Sequence, residues 1–271
     1  MEDQKNYKNI NKKAWNIKTD IHFNSDFYDN AGFIKGRNSL NSIEIDLLGD
    51  IKGKTILHLQ CHFGQDTISL NRMGAKSTGV DISDKAIQKA KELAALTNSD
   101  SDFICCDIYD LPKILNKKFD IVFTSYGTIG WLPDLNKWGD IISGYLKPKG
   151  KFVFVEFHPF VWMFDDNFDF IEYRYFNSGP IVESVEGTYA DKNSRIVQKY
   201  VNWNHSISEV ISSLLNNNLV ITSFNEFDYS PYDCFNNTIE IEPGKFRIKH
   251  LGDKIPMVYS VTATKMEENF R

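Results

Sequence analysis

Apolar strands alternate with amphipathic helices through the middle of the chain, and this alternation limits the possible folds more than any other feature. Lys54–Leu59 is typical of a buried strand. Lys85–Thr97 is typical of an amphipathic helix, with one apolar face formed by Ala86, Ile87, Ala90, Leu93 and Ala94. Strands separated by helices of this length need crossover connections, which produce a parallel sheet. The pattern therefore predicts a Rossmann-like, doubly wound α/β core.

Seven strands are predicted, five in the core and two near the carboxyl terminus. Ser83 is expected to cap the helix at Lys85–Thr97, and a later helix is expected to begin at Ser206 or Ser208. The predicted strands are Lys54–Leu59, Lys76–Asp81, Asp102–Cys106, Phe119–Ser125, Lys151–Phe157, Leu219–Phe227 and Met257–Thr264.

The remaining segments surround this core, and at 271 residues we expect a single domain. Residues 1–49 carry helical and aromatic pieces that would form a cap, and residues 50–157 would form the core. Residues 158–205 are rich in β-branched and aromatic side chains, which predicts an inserted β lid. Residues 206–271 would complete the sheet. The long stretch Asp228–Pro256 is expected to be irregular.

Composition excludes several classes of function. The net charge is −5, and no cluster of lysine and arginine interleaves with aromatic residues, so a nucleic-acid partner is not expected. No apolar run has the length of a signal peptide or a membrane span, which predicts a cytoplasmic protein without a membrane partner. The four cysteines lack CxxC spacing, and His58 and His62 flank a strand end, so we expect no metal site.

Polar residues follow three successive predicted strands. They are the loop Gln60–Gly64, then Asp81, and then Asp107. Open parallel sheets bind ligands at the carboxyl ends of their strands, where these residues would meet. A carboxylate after the second strand is suited to accept hydrogen bonds from both hydroxyls of a ribose. The acidic residue after the third strand is suited to an adenine amino group.

Five ordered motifs carry a specific resemblance. ILHLQCHFG, STGVDIS, FICCDIYDLP, FDIVFTSYGTIGWLPD and LKPKGKFVFVE follow one another over about residues 54–156. This order resembles the class I S-adenosylmethionine (SAM)-dependent methyltransferases, closest to a bacterial branch with LHLQCHFG in place of the glycine-rich loop. The resemblance implies SAM as cofactor and a seven-stranded sheet with an antiparallel last strand. The cofactor-binding residues it implies are Gln60, His62, Gly64, Asp81, Ile82, Asp107, Ile108 and Ser125.

The first loop departs from the family pattern. Gln60 and His62 stand where glycines are usual, Gly64 is retained, and His58 replaces a common acidic residue. Two alternatives stay open: the side chains of Gln60 and His62 reach the amino-acid end of SAM, or they pack the loop. The same loop argues against a dinucleotide, because it lacks the GxGxxG that seats a pyrophosphate.

Candidate acceptor-site residues follow the fourth and fifth strands. Tyr126 is either a site residue or a packed aromatic, and Trp131 is either a site residue or a hydrophobic staple before the cap Asp134. His158 lies two residues after Glu156, so strand alternation predicts that both point toward the cleft if either does. The alternative for His158 is a histidine whose hydrogen bonds are satisfied beside a proline-directed turn. His205 either takes part in catalysis or orients the lid. Tyr126, His158 and His205 are the predicted catalytic residues.

Aromatic residues of the cap complete the predicted site. Trp15, His22 and Tyr28 would cover the sulfonium and contact the acceptor, because an aromatic face attracts a cation; core packing is the alternative. The function predicted from the sequence is N- or O-methylation of a small molecule by a monomer or homodimer. Two alternatives are a SAM-binding protein without catalysis and a methyltransferase of a peptide or protein terminus.

Overall fold

A seven-stranded mixed sheet forms the centre of the computed structural model, which describes residues 6–267. Its strands are β1 (Thr55–Leu59), β2 (Lys76–Asp81), β3 (Asp102–Cys105), β4 (Phe119–Ser125), β5 (Leu146–Phe157), β8 (Leu219–Phe227) and β11 (Val258–Lys265). Their order is β3-β2-β1-β4-β5-β11-β8. The first five are parallel, and β11 is antiparallel to both β5 and β8. The predicted fold class, including the antiparallel last strand, is confirmed.

Seven α-helices accompany the sheet within residues 6–267. They are α1 (Tyr7–Phe23), α2 (Asn30–Ile34), α3 (Ser42–Leu48), α4 (Gln65–Arg72), α5 (Asp84–Leu96), α6 (Leu135–Tyr145) and α7 (Ile207–Asn216). Four begin at side-chain caps: Asp29 accepts from the Gly32 N–H, Ser83 from Ala86, Asp134 from Lys137 and Ser206 from Glu209. The helix start left open between Ser206 and Ser208 therefore falls at Ser206. No helix in this range is long and apolar enough to cross a bilayer.

The two faces of the sheet bury separate apolar clusters because side chains alternate along each strand. On β5, Phe152 and Phe154 pack edge-to-face against the fully buried Trp138 of α6, with ring centroids 5.5 and 5.3 Å away. Val153 points to the other face, where it joins Ile56 and the helices before and after β1. Packing on both faces holds the carboxyl ends of the strands rigidly, and these ends carry the polar residues singled out above.

The stretch Asp228–Pro256, predicted to be irregular, contains a β-hairpin, so that prediction was wrong. β9 (Thr238–Glu242) pairs antiparallel with β10 (Lys245–Ile248). Pro243 and Gly244 connect them, with Gly244 at φ +72°, a geometry that the Pro–Gly pair of a type II turn supplies. The alternating TIEIE and KFRI around this pair were the sequence signal for a hairpin.

A second ribbon lies in the inserted segment. β6 (Ile181–Glu186) and β7 (Val197–Asn202) form an antiparallel two-stranded sheet outside the main one. Asn11 of α1 joins this ribbon by accepting from the Val201 N–H at 2.9 Å and donating to the Val201 carbonyl at 2.8 Å. The paired hydrogen bonds satisfy backbone groups that would otherwise be buried without partners. They also fix α1 and the ribbon to each other over the carboxyl edge of the sheet.

We predict that Gly64→Ala destabilises the fold more than a glycine change in open space. Gly64 has φ +80°, and a Cβ there would lie 2.5 Å from the Phe103 ring. Left-handed strain and overpacking together should cost about 2–4 kcal/mol of unfolding free energy. Gly53→Ala is the matched control, with φ +74° and no atom within 4 Å of the added Cβ, and should cost about 1 kcal/mol. Equal losses in urea denaturation of the two variants would contradict the packing argument.

Candidate cofactor and acceptor site

A cavity of about 820 Å³ lies at the carboxyl edge of the parallel strands, between the sheet, α1 and the β6–β7 ribbon. Its volume is in the range of sites that enclose a cofactor or small ligand. His22 and His158 are the predicted site residues that do not line it. The predicted residues that do are Trp15, Tyr28, Gln60, His62, Gly64, Asp81, Ile82, Asp107, Ile108, Ser125, Tyr126, Trp131 and His205.

The loop after β1 keeps the backbone shape of a glycine-rich turn with a single glycine. Gln60, His62 and Gly64 all have positive φ, at +56°, +51° and +80°. A non-glycine residue pays about 1–2 kcal/mol for this conformation, so two such residues imply strong support from the surroundings. Gln60 gives part of that support, because its Nε2 donates to the Thr128 carbonyl at 2.8 Å.

The two alternatives for Gln60 are not exclusive. Its amide nitrogen packs the loop, but its buried Oε1 has no hydrogen-bond partner among residues 6–267 although the side chain lines the cavity. His62 likewise has two buried ring nitrogens without a partner in that range. Burial lowers the His62 pKa to about 3, so the ring is neutral. Both side chains therefore leave hydrogen-bonding groups unpaired beside the cavity.

Asp81, at the end of β2, holds two loops together. Its Oδ2 accepts from the His62 N–H and its Oδ1 from the Ser83 N–H, both at 2.8 Å. Burial raises the Asp81 pKa to about 6, and these hydrogen bonds oppose the rise by stabilising the charged form. A carboxylate has about four acceptor sites, so Asp81 retains capacity for a ligand.

Asp107 caps the short 3₁₀ segment Ile108–Lys113 at the end of β3. Its Oδ1 accepts from the Tyr109 N–H at 2.8 Å, and the ammonium of Lys8 on α1 lies 3.2 Å from the same oxygen. The ion pair attaches the start of α1 to the third strand end. The apolar side chains of Ile82 and Ile108 line the cavity beside the two carboxylates.

Glu156, at the end of β5, organises the loop after β4. Its carboxylate accepts from the backbone N–H groups of Gly127, Thr128 and Ile129, the last two at 2.7 and 3.2 Å. The Trp131 indole donates to the Gly127 carbonyl at 2.7 Å, which fixes that ring at the cavity wall. The Glu156 carboxylate therefore uses its oxygens to bind backbone N–H groups and positions the loop.

His158 lies outside the cavity, so the expectation that it shares the cleft with Glu156 was wrong. Strand β5 ends at Phe157, and alternation no longer applies beyond it. The His158 Nε2 lies 3.0 Å from a carboxylate oxygen of Glu226 on β8, and its Nδ1 accepts from the Phe160 N–H at 3.1 Å. The ring therefore joins β5 to the far edge of the sheet.

His205 and His22 are both engaged away from an acceptor. The His205 Nε2 lies 2.8 Å from the Leu132 carbonyl and its Nδ1 lies 3.0 Å from Glu209, which favours orienting the end of the lid over proton transfer. His22 is fully buried behind the cavity wall, where it stacks on Tyr28 at 5.5 Å. Burial lowers its pKa to about 2 and keeps it neutral. His22 therefore does not lie in the cavity wall, where the predicted contact with the acceptor would need it.

Trp15 and Tyr28 form the aromatic wall contributed by the cap. The Trp15 ring centroid lies 5.4 Å from that of Trp131 and 5.2 Å from that of His62. Tyr28 stacks on His62 at 5.5 Å and 13°, and its hydroxyl lies 2.6 Å from the Tyr189 hydroxyl. The cap and lid thus meet over the altered first loop.

Sequence reasoning missed Lys18, which lines the cavity from α1. The signal was helical spacing: Asn11, Trp15, Lys18 and His22 recur every three or four residues and so share one face of α1. Lysine was overlooked because its ammonium normally stays in water. In the structure the side chain is only 7% exposed.

The sequence also contained no indication that two acids, Glu44 and Asp66, lie near Tyr126. Glu44 of α3 is 1% exposed, and its burial, together with the charge of Asp66, raises its pKa to about 7. Asp66 itself is held by the Ser39 hydroxyl, which donates to its Oδ1 at 2.6 Å. Tyr126 adopts φ +44°, and burial beside Glu44 raises its pKa, so its hydroxyl stays protonated. No local motif marks these residues because three separate segments bring them together.

Comparison with known proteins identifies the family. Residues 50–209 match the model of the methyltransferase domain, and the chain belongs to that family. It is 30% identical over 132 residues to a ubiquinone biosynthesis O-methyltransferase of Coxiella burnetii, covering 48% of this chain and 56% of that protein. It is 27% identical over 130 residues to an uncharacterised RNA methyltransferase of Clostridium acetobutylicum, covering 48% and 28%. The chain thus spans about half the length of the first of these relatives.

Solved structures agree on the fold. An S-adenosylmethionine-dependent methyltransferase from Mesorhizobium loti superposes with a TM-score of 0.56 at 20% identity. The match covers 86% of this chain and all of that one. At this identity the likeness concerns the fold, and it includes segments outside residues 50–209.

We predict that Glu44→Gln changes how stability depends on pH. The Glu44 pKa is raised on folding, so its contribution is present at low pH and is lost as pH rises through about 7. Glutamine carries no charge, so unfolding free energies at pH 5 and pH 8 should favour the variant by about 2–3 kcal/mol more at the higher pH. The exposed Glu172→Gln is the control and should show no such change. A pH-independent effect of Glu44→Gln would contradict the assignment.

Proposed function

We propose that this protein is a SAM-dependent methyltransferase that methylates a nitrogen or oxygen of a small molecule. The observation that carries the proposal is the arrangement around Asp81: a buried carboxylate at the end of β2 lies in the cavity and holds a loop turned like a glycine-rich one. Family membership supports the transfer of a methyl group. We further propose that the chain belongs to a branch in which Gln60 and His62 replace the loop glycines.

The residues present fit SAM at each part of that molecule. Asp81 would accept from the ribose hydroxyls, because its carboxylate retains lone pairs beyond the two backbone contacts. Asp107 would accept from the adenine amino group, with Ile82 and Ile108 against the ring. The unpaired Oε1 of Gln60 would accept a hydrogen bond from the amino group of the methionine part of SAM.

Bound SAM supplies a methyl group on a positively charged sulfur. In-line transfer of that group depends mainly on alignment and on exclusion of water. Trp15, Tyr28 and Trp131 would provide the apolar wall, and aromatic faces attract the sulfonium. Ser125, at the end of β4, would border the methionine part, and Tyr126 would form part of the acceptor wall.

A small acceptor is favoured by the enclosure of the site. The α1 helix and the β6–β7 ribbon cover the cavity and are tied together through Asn11 and Val201. A polymer such as RNA would need an open, positively charged path, whereas this chain has a net charge of −5. The O-methyltransferase named among the relatives suggests that oxygen acceptors be tested first.

We predict that S-adenosylhomocysteine, the demethylated product of SAM, binds the wild type and that Asp81→Asn weakens it about 10- to 150-fold. This range corresponds to loss of a charged hydrogen-bonding group worth about 1.5–3 kcal/mol. Isothermal titration calorimetry measures both affinities. Asp102→Asn makes the same change at the exposed start of β3 and should bind normally.

Thermal melts without ligand accompany the calorimetry, since Asp81 also holds two backbone N–H groups. Unchanged affinity in a folded Asp81→Asn protein would contradict the ribose assignment. Radiolabelled SAM incubated with phenol, amine, acid and thiol libraries tests transfer itself. Tight binding of SAM with no labelled product would support a binding protein without catalysis instead.

A further inference from the structure

Lys18 presents a buried ammonium to the cavity within a cage of three aromatic rings. Its Nζ lies 4.9 Å from the centroid of Trp15, 5.3 Å from that of Trp131 and 5.0 Å from that of Tyr200. The side chain is 7% exposed and lines the cavity. Burying an ammonium is costly unless a partner compensates for the lost hydration.

Within the described part of the chain, no carboxylate pairs with Lys18. Two other lysines of α1 form ion pairs, Lys8 with Asp107 at 3.2 Å and Lys12 with Asp84 at 2.9 Å. Across the described range 6–267, no carboxylate lies within 4 Å of the Lys18 ammonium and no acceptor lies at hydrogen-bonding distance. Burial alone lowers the Lys18 pKa to about 8, with no acidic group opposing it.

The aromatic cage satisfies Lys18 only in part. Three rings give cation–π attraction, but an ammonium also has three N–H donors, which ring faces satisfy weakly. Glu183, which lies opposite Tyr200 in the ribbon, accepts from Tyr173 at 2.6 Å and from Asn202 at 3.0 Å and forms no ion pair with Lys18. The cavity therefore holds an uncompensated positive charge beside flat apolar walls.

The position of the cage points to the acceptor side of the cavity. Trp15 and Lys18 come from α1, Trp131 follows β4, and Tyr200 belongs to β7. The carboxylates assigned to the cofactor, Asp81 and Asp107, follow β2 and β3. The cage is thus built by the cap, the β4 loop and the lid, which are the segments left to form the acceptor pocket.

We propose that Lys18 binds a carboxylate of the acceptor, so that the methylated small molecule is an organic acid whose apolar part contacts the cage. This inference rests on the proposed methyltransferase function and narrows its substrate class. A carboxylate would accept the ammonium N–H groups and supply the missing charge, whereas a neutral amide of the same shape would leave the charge unpaired. The rings would exclude water around the pair.

The test compares benzoate with its neutral isostere benzamide on protein saturated with S-adenosylhomocysteine. Calorimetric or competitive titration should show that the wild type binds benzoate about 10- to 100-fold tighter than benzamide. Lys18→Met should abolish this preference, and Lys18→Gln provides a second variant if methionine disturbs folding. Lys13→Met removes the same charge from an exposed position of α1 and should bind both compounds as the wild type does.

Each other outcome counts against the proposal. Equal binding of benzoate and benzamide by the wild type, or a preference that survives in Lys18→Met, would overturn it. The methionine part of SAM also carries a carboxylate, so S-adenosylhomocysteine is compared with 5′-methylthioadenosine, which lacks it. If Lys18→Met weakens only the former, the ammonium binds the cofactor and the acceptor assignment is wrong.

Failure of the proposed function is distinguishable from failure of this inference. A wild type that does not bind S-adenosylhomocysteine would refute the methyltransferase proposal. The benzoate and benzamide titration would then be run on the unliganded protein, where it still measures whether Lys18 forms an anion site.

Discussion

Two buried carboxylates give the cleft its shape. Asp81 accepts the N–H groups of His62 and Ser83, and Glu156 accepts those of three consecutive residues after β4. Each satisfies backbone donors that would otherwise be buried and unpaired in loops that have no sheet or helix partner. The left-handed turn at Gln60 and His62 persists because Asp81 and Thr128 bind it from two sides. A ligand entering the cavity meets preformed loops.

The first helix covers part of the cavity at this edge of the sheet. Along α1, Lys8 contacts Asp107 at the third strand end, Asn11 binds the ribbon, and Trp15 packs on His62 above the first strand. The α1 helix thus connects the core to the lid, and Lys18 lies between the core and the lid. Coverage by α1 supplies the low-polarity surroundings that strengthen any charge interaction in the cavity.

The sequence predicted the sheet well because buried strands and helix caps are local signals; Lys76–Asp81, Phe119–Ser125 and Leu219–Phe227 match the observed strands at both ends. The strand-end carboxylates were found for the same reason. His158 was misplaced because alternation was extended beyond the last residue of its strand. Lys18 was missed although helical spacing places it on the face of Trp15, because lysine is expected to keep its ammonium in water. Glu44 was missed because distant segments bury it, which local spacing does not encode.

We propose that the cavity beneath α1 binds the cofactor. Hydrogen–deuterium exchange of the full chain, with and without S-adenosylhomocysteine, measures this directly. We expect slower exchange in peptides containing residues 60–64, 81–83 and 7–23, because the ligand would bind the strand ends and hold α1 over them. Protection confined to other segments such as the β9–β10 hairpin, or no protection at saturating ligand, would contradict it.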